Sequence, residues 1–330
     1  EVWAALHISG TGVVVAGMDT GVDWLHPALQ ANYRGYNPHG PSNHAFSWHD
    51  ATSLGALYPV DDNGHGSHTM GTIAGQGGIG VAPGARWIAV KAFSSGGFAY
   101  DSWVHAGFQW LLAPGGSAAL APDVVNCSWG SDNGYLTTFQ PDLQALRASG
   151  IFVVFSNGNN GSGDCTVGSP ASLPEAFAVG AIDEYDQVAN FSSRGPSPWG
   201  QIRPHVAAPG VRVRSSLPGG TYGRKNGTSM AAPHAAGVAV LLRSISPTLS
   251  ITRAAYIITR TAVPLGSPIP NNDAGWGRVD AFAAAATLAH HGAISGTVIR
   301  AGNGAPIIGG RVSAVSALNG GGGIAATGAD

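Results

Sequence analysis

The sequence predicts an α/β fold built on a mainly parallel β-sheet that helices cover on both faces. Five short apolar runs are continuous rather than alternating, which is typical of strands that are buried on both faces. Segments with helical periodicity separate these runs, and strands that alternate with helices favour parallel pairing. The predicted strands are residues 13–16, 87–90, 124–125, 151–155 and 177–179.

Three segments carry small or apolar residues on one helical face, which predicts helices that pack against the sheet. The last of them follows Ser229 and has the i, i+3, i+4, i+7 spacing of an α-helix. The faces consist of Trp103, Gly107, Trp110 and Leu111; Phe139, Leu143 and Leu146; and Val238, Leu241, Leu242 and Ile245. In such a fold, functional side chains belong at the carboxyl ends of the strands and at the helix starts beside them.

The composition is that of a loop-rich chain with few charges. Its 330 residues suit one α/β domain with a small appendage, only 10% of them are charged, and the formal net charge is −2. This balance gives no electrostatic basis for binding nucleic acid or an anionic membrane. No apolar run reaches the ~18 residues of a membrane span. The chain begins at Glu1 and shows no signal peptide, so we expect a processed or excised piece.

A composition shift after His290 and His291 predicts a boundary between residues 1–291 and residues 292–330. The second segment alternates small and β-branched residues, with turn signals at Gly-Asn-Gly and Gly-Gly. Its pattern G-x-V…G-x-P-I-x-G-x-x-V resembles the opening strands of a carboxypeptidase regulatory-like β-sandwich. Two interpretations stay open: an incomplete sandwich, or a glycine-rich tail.

Three glycine-rich motifs each carry one polar residue of interest. Asp19 lies in VVVAGMDTGVD, His65 in DDNGHGSHTMGT and Ser229 in NGTSMAAPHAAG. A serine hydroxyl is a poor nucleophile until a base removes its proton, and the base needs an acid that fixes its tautomer and orientation. The three residue types therefore predict nucleophilic catalysis by Ser229, with His65 as base and Asp19 as its orienting acid.

Each of these residues has an alternative interpretation. Ser229 precedes an apolar helix, where most serines serve as helix caps. His68 lies one helical turn after His65, and two histidines so placed suggest a zinc site. The glutamate of the zinc motif H-E-x-x-H is absent, however, and no third ligand is evident. Asp19 has a neighbour in Asp23, and Asp19 itself suits the capping of a turn.

The chain order Asp, His, Ser is that of subtilisin, and the motifs resemble those of the subtilisin-like serine proteases, the subtilases. Further runs resemble the bacillopeptidase F-like branch of that family over residues 1–289. These runs are DTGVDWLHPAL, IGVAPGARWIAVKAF, APDVVNCSWG and FSSRGPSP. The resemblance implies the subtilisin fold, a three-layer α/β/α sandwich, and a secreted serine endopeptidase. An esterase is disfavoured because the G-x-S-x-G motif is absent.

The family pattern selects Asp19, His65 and Ser229 as the catalytic residues. It also selects Asn159, between Asn157 and Asn160 in SNGNNGS, as the side chain that donates to the oxyanion. Two segments match the edges that hold the substrate backbone as an added strand. They are Gly97, Phe98 and Ala99, and Ser128, Trp129 and Gly130.

Gly168 matches the floor of the primary pocket, which implies a preference for bulky apolar residues before the scissile bond. The resemblance implies no cofactor for catalysis. A structural calcium is typical of many subtilases, but the corresponding segment, residues 76–80, is short and carries no carboxylate. Asp61, Asp62, Asp183 and Asp186 could serve other calcium sites, but we interpret them as solvated loop residues.

The implied partners are polypeptide substrates and the protein's own propeptide, which acts as folding aid and inhibitor. We expect no nucleic acid or membrane partner and a monomeric protein. Cys127 and Cys165 could pair or remain free thiols. A binding module that keeps the cleft without catalysis is the main alternative function, although no triad residue is lost.

Overall fold

The computed structural model describes residues 2–289, 298–308, 311–315 and 322–326. The chain divides into two compact units, Glu1–Ala286 and Thr287–Asp330. The predicted boundary after residue 291 lies outside the described residues. The division into a domain of residues 1–291 and a segment of residues 292–330 therefore stays a prediction.

Seven parallel strands form the central sheet of the first unit, in the order β2-β3-β1-β4-β5-β6-β7. The strands β3 and β2 lie on one side of β1, and β4 to β7 lie on the other. Because the strand order changes direction there, the carboxyl ends of β1 and its neighbours open towards one crevice. The strands are β1 (Val14–Asp19), β2 (Trp48–Asp50), β3 (Arg86–Lys91), β4 (Val124–Cys127), β5 (Phe152–Ser156), β6 (Phe177–Ile182) and β7 (Val206–Pro209).

Helices cover both faces of this sheet. The α-helices of the described residues are α1 (Val2–Leu6), α2 (His65–Ala74), α3 (Asp101–Leu112), α4 (Gln140–Ala148), α5 (Thr228–Ile245), α6 (Ile251–Arg260) and α7 (Ala281–Ala289), and those that pack on the sheet are α2, α3, α4 and α5. Alternate strand residues such as Met18 and Val90 share a buried cluster with Phe108 of α3 and Leu143 of α4. On the opposite face, α2 approaches so closely that a side chain at Gly17 would meet Met70 at 2.9 Å. The predicted α/β fold with a mainly parallel sheet is confirmed.

All five predicted strands lie in this sheet, and the three predicted apolar faces lie on α3, α4 and α5. The strands β2 and β7 escaped prediction for physical reasons. The first is Trp-His-Asp at a sheet edge, and the second is Val-Ala-Ala-Pro. Neither has the run of large apolar residues that marks a buried strand in a sequence.

A two-stranded antiparallel hairpin, β8 (Val213–Leu217) with β9 (Thr221–Lys225), packs against α2. Ser216 Oγ donates a 2.7 Å hydrogen bond to the carbonyl of Ser67, and both serines are buried. The hairpin is continuous with the start of α5, so it links the beginnings of two helices that border the crevice.

In the second unit, β10 (Arg311–Val315) pairs with β11 (Gly322–Ala326) in an antiparallel register. A short bridge joins Ile299 and Pro306. These pairings suit either interpretation of the segment, which therefore stays open. In the part of the chain that the structure describes, no helix combines the length and apolar character needed to cross a membrane.

Gly71 sets how closely α2 approaches the hairpin, and Gly71→Ala tests that contact. A Cβ there would meet Ser216 Oγ at 2.1 Å and Ser215 Oγ at 2.5 Å. Helix propensity alone would make alanine stabilising by about 0.5–1 kcal/mol. We expect instead that overpacking lowers the free energy of unfolding by about 1–3 kcal/mol, measured by denaturant titration.

The matched control is Gly163→Ala, because a Cβ at exposed Gly163 would make only an ordinary 3.7 Å contact with Thr166. Its free energy of unfolding should stay within about 0.5 kcal/mol of the parent. Stabilisation by Gly71→Ala would show that the hairpin yields and that the approach is not fixed.

Candidate active site

Three chain segments meet at the carboxyl edge of the sheet and bring the motif residues together. Asp19 ends β1, His65 begins α2 and Ser229 is the second residue of α5. All three line one cleft of about 390 Å³, which Asn159 also lines. Residues far apart in the chain thus share one solvent-accessible site.

Asp19 and His65 form a direct pair. His65 Nδ1 donates a 2.8 Å hydrogen bond to Asp19 Oδ1, and the aspartate is 3% exposed. Burial lowers the pKa of His65, but the charge and hydrogen bond of Asp19 outweigh burial and raise that pKa above its ordinary value. The pairing fixes the proton on Nδ1 and leaves Nε2 able to act as a base.

Thr20 joins the Asp19 turn to the start of α2. Its N–H donates 2.7 Å to Asp19 Oδ1, while its hydroxyl donates 2.8 Å to Asp61 and accepts 2.9 Å from the N–H of Gly66. Its carbonyl accepts a 2.7 Å hydrogen bond from Lys91 Nζ. Every polar group of this residue therefore fixes the geometry between β1 and α2.

Lys91 ends β3 and is only 1% exposed. Besides the carbonyl of Thr20, its ammonium group binds Asp62 Oδ1 at 2.6 Å, and Asp62 is partly solvated. A buried lysine needs such a counter-charge because isolated burial of a charge is costly. Sequence reasoning missed its role. The signal in the sequence was a lysine at the end of an apolar strand, in a chain that has only two lysines, Lys91 and Lys225.

Asp61 caps the helix that carries His65. Its Oδ1 accepts from the N–H of Gly64 at 2.8 Å, and its Oδ2 accepts from the N–H of Ser67 at 2.8 Å. These are donors that a helix start leaves unpaired. The interpretation of Asp61 as a solvated loop residue was wrong, because its carboxylate is engaged with backbone groups.

Ser229 lies in the first turn of α5, after Gly227 with φ of 145°. Its hydroxyl donates a 3.0 Å hydrogen bond to the carbonyl of Ser128, and the Ser128 hydroxyl donates 2.8 Å to the carbonyl of Ser229. Within the described residues, no hydrogen bond joins Ser229 to His65. The hydroxyl hydrogen is thus directed at the Ser128 carbonyl on the cleft wall.

Asn159 is held beside Ser229 by Thr228. The N–H of Thr228 donates 2.9 Å to Asn159 Oδ1, and the Thr228 hydroxyl lies 3.0 Å from the same oxygen. Because Oδ1 is occupied, the Nδ2 group of Asn159 is oriented away from Thr228, and it has no acceptor among the described residues. Asn157 differs, since it is buried and its Nδ2 donates to the carbonyl of Ser193.

Of the predicted substrate-contacting residues, five line the cleft: Gly97, Ser128, Trp129, Gly130 and Gly168. The indole Nε1 of Trp129 donates 2.8 Å to the carbonyl of Met18, which fixes this wall against β1. The structure places Phe98 and Ala99 away from the cleft lining. Phe98 is 77% exposed, and Ala99 packs against the core cluster of the sheet.

Gly168 faces a wall with no room for a side chain. A Cβ there would lie 2.3 Å from the carbonyl oxygen of Ser131. Two backbone hydrogen bonds between Ser131 and Ser169, of 2.7 and 3.0 Å, hold this wall in place. Asp132, an exposed acidic residue, also lines the cleft.

His68 and Asp23, the alternative candidates from the sequence, each have a structural role outside the cleft lining. His68 is fully buried, donates from Nε2 to the carbonyl of Val213 at 3.0 Å, and burial lowers its pKa to about 4. Asp23 accepts from the N–H of Gly219 at 2.9 Å, so it holds the turn of the hairpin. No group of three or more His, Cys, Asp or Glu side chains suited to a metal occurs among the described residues.

The residues present do not fit a calcium site at the shortened loop. Gln76 uses its side-chain amide to donate to Asn32 and Pro83, and residues 77–80 carry no side-chain ligand. The other aspartates considered as calcium ligands have protein partners as well. Asp62 binds Lys91, Asp186 binds Arg278, and Asp183 accepts hydrogen bonds from two backbone N–H groups. Cys127 is a buried free thiol and Cys165 an exposed one.

Comparison with known proteins gives a family match over most of the chain. The subtilase family profile matches residues 10–277. Bacillopeptidase F of Bacillus subtilis (strain 168) is 44% identical over 309 residues, which are 87% of this chain and 21% of that protein. The chain therefore spans about a fifth of that relative's length.

Shorter relatives align over nearly their full length. Subtilisin of Bacillus pumilus is 39% identical over 273 residues, which are 80% of this chain and 89% of the relative. Subtilisin Savinase of Lederbergia lenta is 36% identical over 284 residues, or 84% and 92% of the two chains. The resemblance drawn from the three motifs is confirmed, and the chain belongs to the subtilase family of serine endopeptidases.

Proposed function

We propose that this chain is a secreted serine endopeptidase that hydrolyses peptide bonds through an acyl-enzyme. The observation that carries the proposal is the 2.8 Å hydrogen bond from His65 to Asp19 in a cleft that Ser229 also lines. Family membership supports the reaction class. Secretion is proposed from the likeness to the subtilisins named above.

In the first step, the Ser229 hydroxyl leaves its contact with Ser128 and turns towards His65. Its oxygen attacks the peptide carbonyl carbon while His65 Nε2 takes the hydroxyl proton. The imidazolium so formed is stabilised by Asp19, whose carboxylate already accepts the Nδ1 hydrogen. His65 then gives its proton to the leaving amine, which departs as the acyl-enzyme forms.

In the second step, water attacks the ester carbonyl and the roles repeat. His65 takes a proton from the water and returns one to Ser229 Oγ, which restores the free serine. The negative oxygen formed in each step needs donors. We assign these to Asn159 Nδ2 and to the backbone N–H of Ser229, at the positive end of α5.

The substrate backbone is proposed to lie between Gly97 and the segment Ser128–Trp129–Gly130 as an added strand. Phe98 and Ala99 belong to the first of these edges, where they would act through their backbone. Gly168 leaves the primary pocket open, so we propose a preference for bulky apolar residues before the scissile bond.

The proposed reaction uses side chains, one backbone N–H group and water. We propose polypeptide substrates and a propeptide outside this chain as partners, neither nucleic acid nor membrane, and a monomeric enzyme. The exclusion of nucleic acid and membrane follows from the formal net charge of −2 and the low content of charged residues.

A fluorophosphonate probe, which modifies activated serines, tests the proposal. The parent should be labelled and the Ser229→Ala variant should not, because only an activated hydroxyl attacks phosphorus. Ser53→Ala is the matched control, since Ser53 is exposed and far from the cleft lining, and it should label like the parent. A folded parent that stays unlabelled would indicate a peptide-binding module instead.

Asn159→Ala tests the oxyanion donor. We expect kcat to fall by roughly 10²–10³, a magnitude measured on subtilisin, with KM nearly unchanged, because the donor acts in the transition state. The control is Asn160→Ala, whose exposed side chain makes no hydrogen bond in the described residues. An equal loss in the Asn160 variant would contradict the assignment.

A peptide library that varies only the residue before the cleaved bond tests the pocket. We expect the highest kcat/KM for bulky apolar and aromatic residues, since Gly168 adds no side chain to the pocket. Acidic residues should be cleaved most slowly because Asp132 repels them. A profile that favours acidic residues would overturn the proposed preference.

A further inference from the structure

The hairpin of β8 and β9 concentrates positive charge. Four cationic residues lie between residues 212 and 225, and this stretch contains no Asp or Glu. They are Arg212, Arg214, Arg224 and Lys225. The whole chain has only 16 lysines and arginines and a formal net charge of −2. The hairpin is therefore a local basic surface on a nearly neutral protein, and we call these four residues the basic hairpin.

The charges of the basic hairpin are not neutralised within the protein. In the described part of the chain, none of the four residues forms an ion pair. The guanidinium of Arg214 lies over the ring of Tyr222, 4.5 Å from its centroid, which leaves its charge uncompensated. Arg212, Arg214 and Arg224 are exposed, and Lys225 is partly exposed.

The register increases the repulsion within the hairpin. Arg214 stands directly opposite Arg224, whereas Lys225 stands opposite Val213 and points to the other face of the hairpin. Like charges at directly opposed positions of a sheet are destabilising. An arrangement that weakens the fold, on a chain with few charges, points to an acidic partner for this surface.

The hairpin lies beside the start of α2, because a Cβ at Gly64, the residue before His65, would meet Pro218 of the hairpin turn at 3.0 Å. It packs on α2, which His65 begins, through Ser216 and through the contact from His68 to the carbonyl of Val213. It also leads directly into α5 and Ser229. Lys225 is close enough to His65 for its charge to lower the pKa of that histidine.

In the proposed reaction the primary pocket lies at Gly168, and residues 128–132 line the same cleft. Among the described residues, those of the hairpin lie outside the cleft lining, next to its His65 side. In the proposed reaction His65 protonates the leaving amine, so the half of the substrate that leaves must run past the His65 side. The basic hairpin lies where residues after the scissile bond would pass.

We propose that the basic hairpin binds acidic side chains of polypeptide substrates, at positions following the scissile bond. This inference rests on the proposed endopeptidase function for the direction of the substrate. Its recognition is electrostatic: several solvated ion pairs add modest affinity and a faster encounter, and both decline with salt.

The test uses the Ser229→Ala protein, which holds peptides without cleaving them, and two labelled peptides. Both have the same residues before the scissile position, and the first four positions after it contain either two glutamates or two glutamines. We expect roughly tenfold tighter binding of the glutamate peptide at about 50 mM salt, and little difference at about 500 mM. Fluorescence anisotropy measures both dissociation constants.

Variants assign the effect to the hairpin. Replacing Arg214, Arg224 and Lys225 together by glutamine should make the two dissociation constants equal, and Arg224→Glu with Lys225→Glu should reverse the preference towards a lysine peptide. The matched control replaces Arg253 and Arg260 of α6, which also lie over aromatic rings, by glutamine. It should keep the preference for glutamate.

Equal binding of the two peptides by the parent background would overturn the inference, and this comparison needs no hairpin variant. A preference that survives in the triple variant, or that disappears in the α6 control, would overturn it as well. If the triple variant fails to fold by circular dichroism, Arg224→Gln alone should reduce the preference, since its side chain is exposed. The probe experiment on the parent judges catalysis separately, so failure of either proposal is recognised on its own.

Discussion

The buried carboxylate of Asp19 is the constraint on which the site depends. At 3% exposure it needs compensation, and its Oδ2 has no hydrogen-bond partner among the described residues. Compensation comes through Oδ1, which accepts from His65 and from Thr20. Thr20 is itself anchored to Asp61 and Lys91. The charge that raises the pKa of His65 is thus held by three segments of chain, and moving any of them disturbs the pair.

Close backbone approach makes this arrangement possible. A Cβ at Gly66, the residue after His65, would lie 2.0 Å from the carbonyl oxygen of Gly21. Only glycine allows α2 to begin so near the turn that follows β1, and this proximity places Nδ1 of His65 within 2.8 Å of Asp19. The small residues that mark the two motifs in the sequence therefore have a geometric cause. They set the distance between a strand end and a helix start.

Local patterns in the sequence predicted the α/β class, five of the seven sheet strands and the three motif residues, because each leaves a short-range signature. The contacts that hold the motif residues in place leave no such short-range signature in the sequence. Thr20 and Asp61 are 41 positions apart, and Lys91 and Thr20 are 71 positions apart. Their pairing depends on the strand order, in which β1 and β3 are neighbours and Asp19 stands beside Lys91. A family resemblance names the reacting groups, whereas only the fold identifies what holds them.

Chain connectivity joins the hairpin to the nucleophile. The strand β9 ends at Lys225 and passes through Gly227 into α5, so the segment that carries basic side chains also delivers Ser229. On the opposite wall, Ser128 exchanges hydrogen bonds with Ser229, and Trp129 is fixed to the carbonyl of Met18 beside Asp19. Three residues, Asn226, the helix cap Gly227 and Thr228, separate the last residue of β9 from the nucleophile. If the hairpin binds the substrate as proposed, one continuous backbone carries both that contact and the Ser229 hydroxyl.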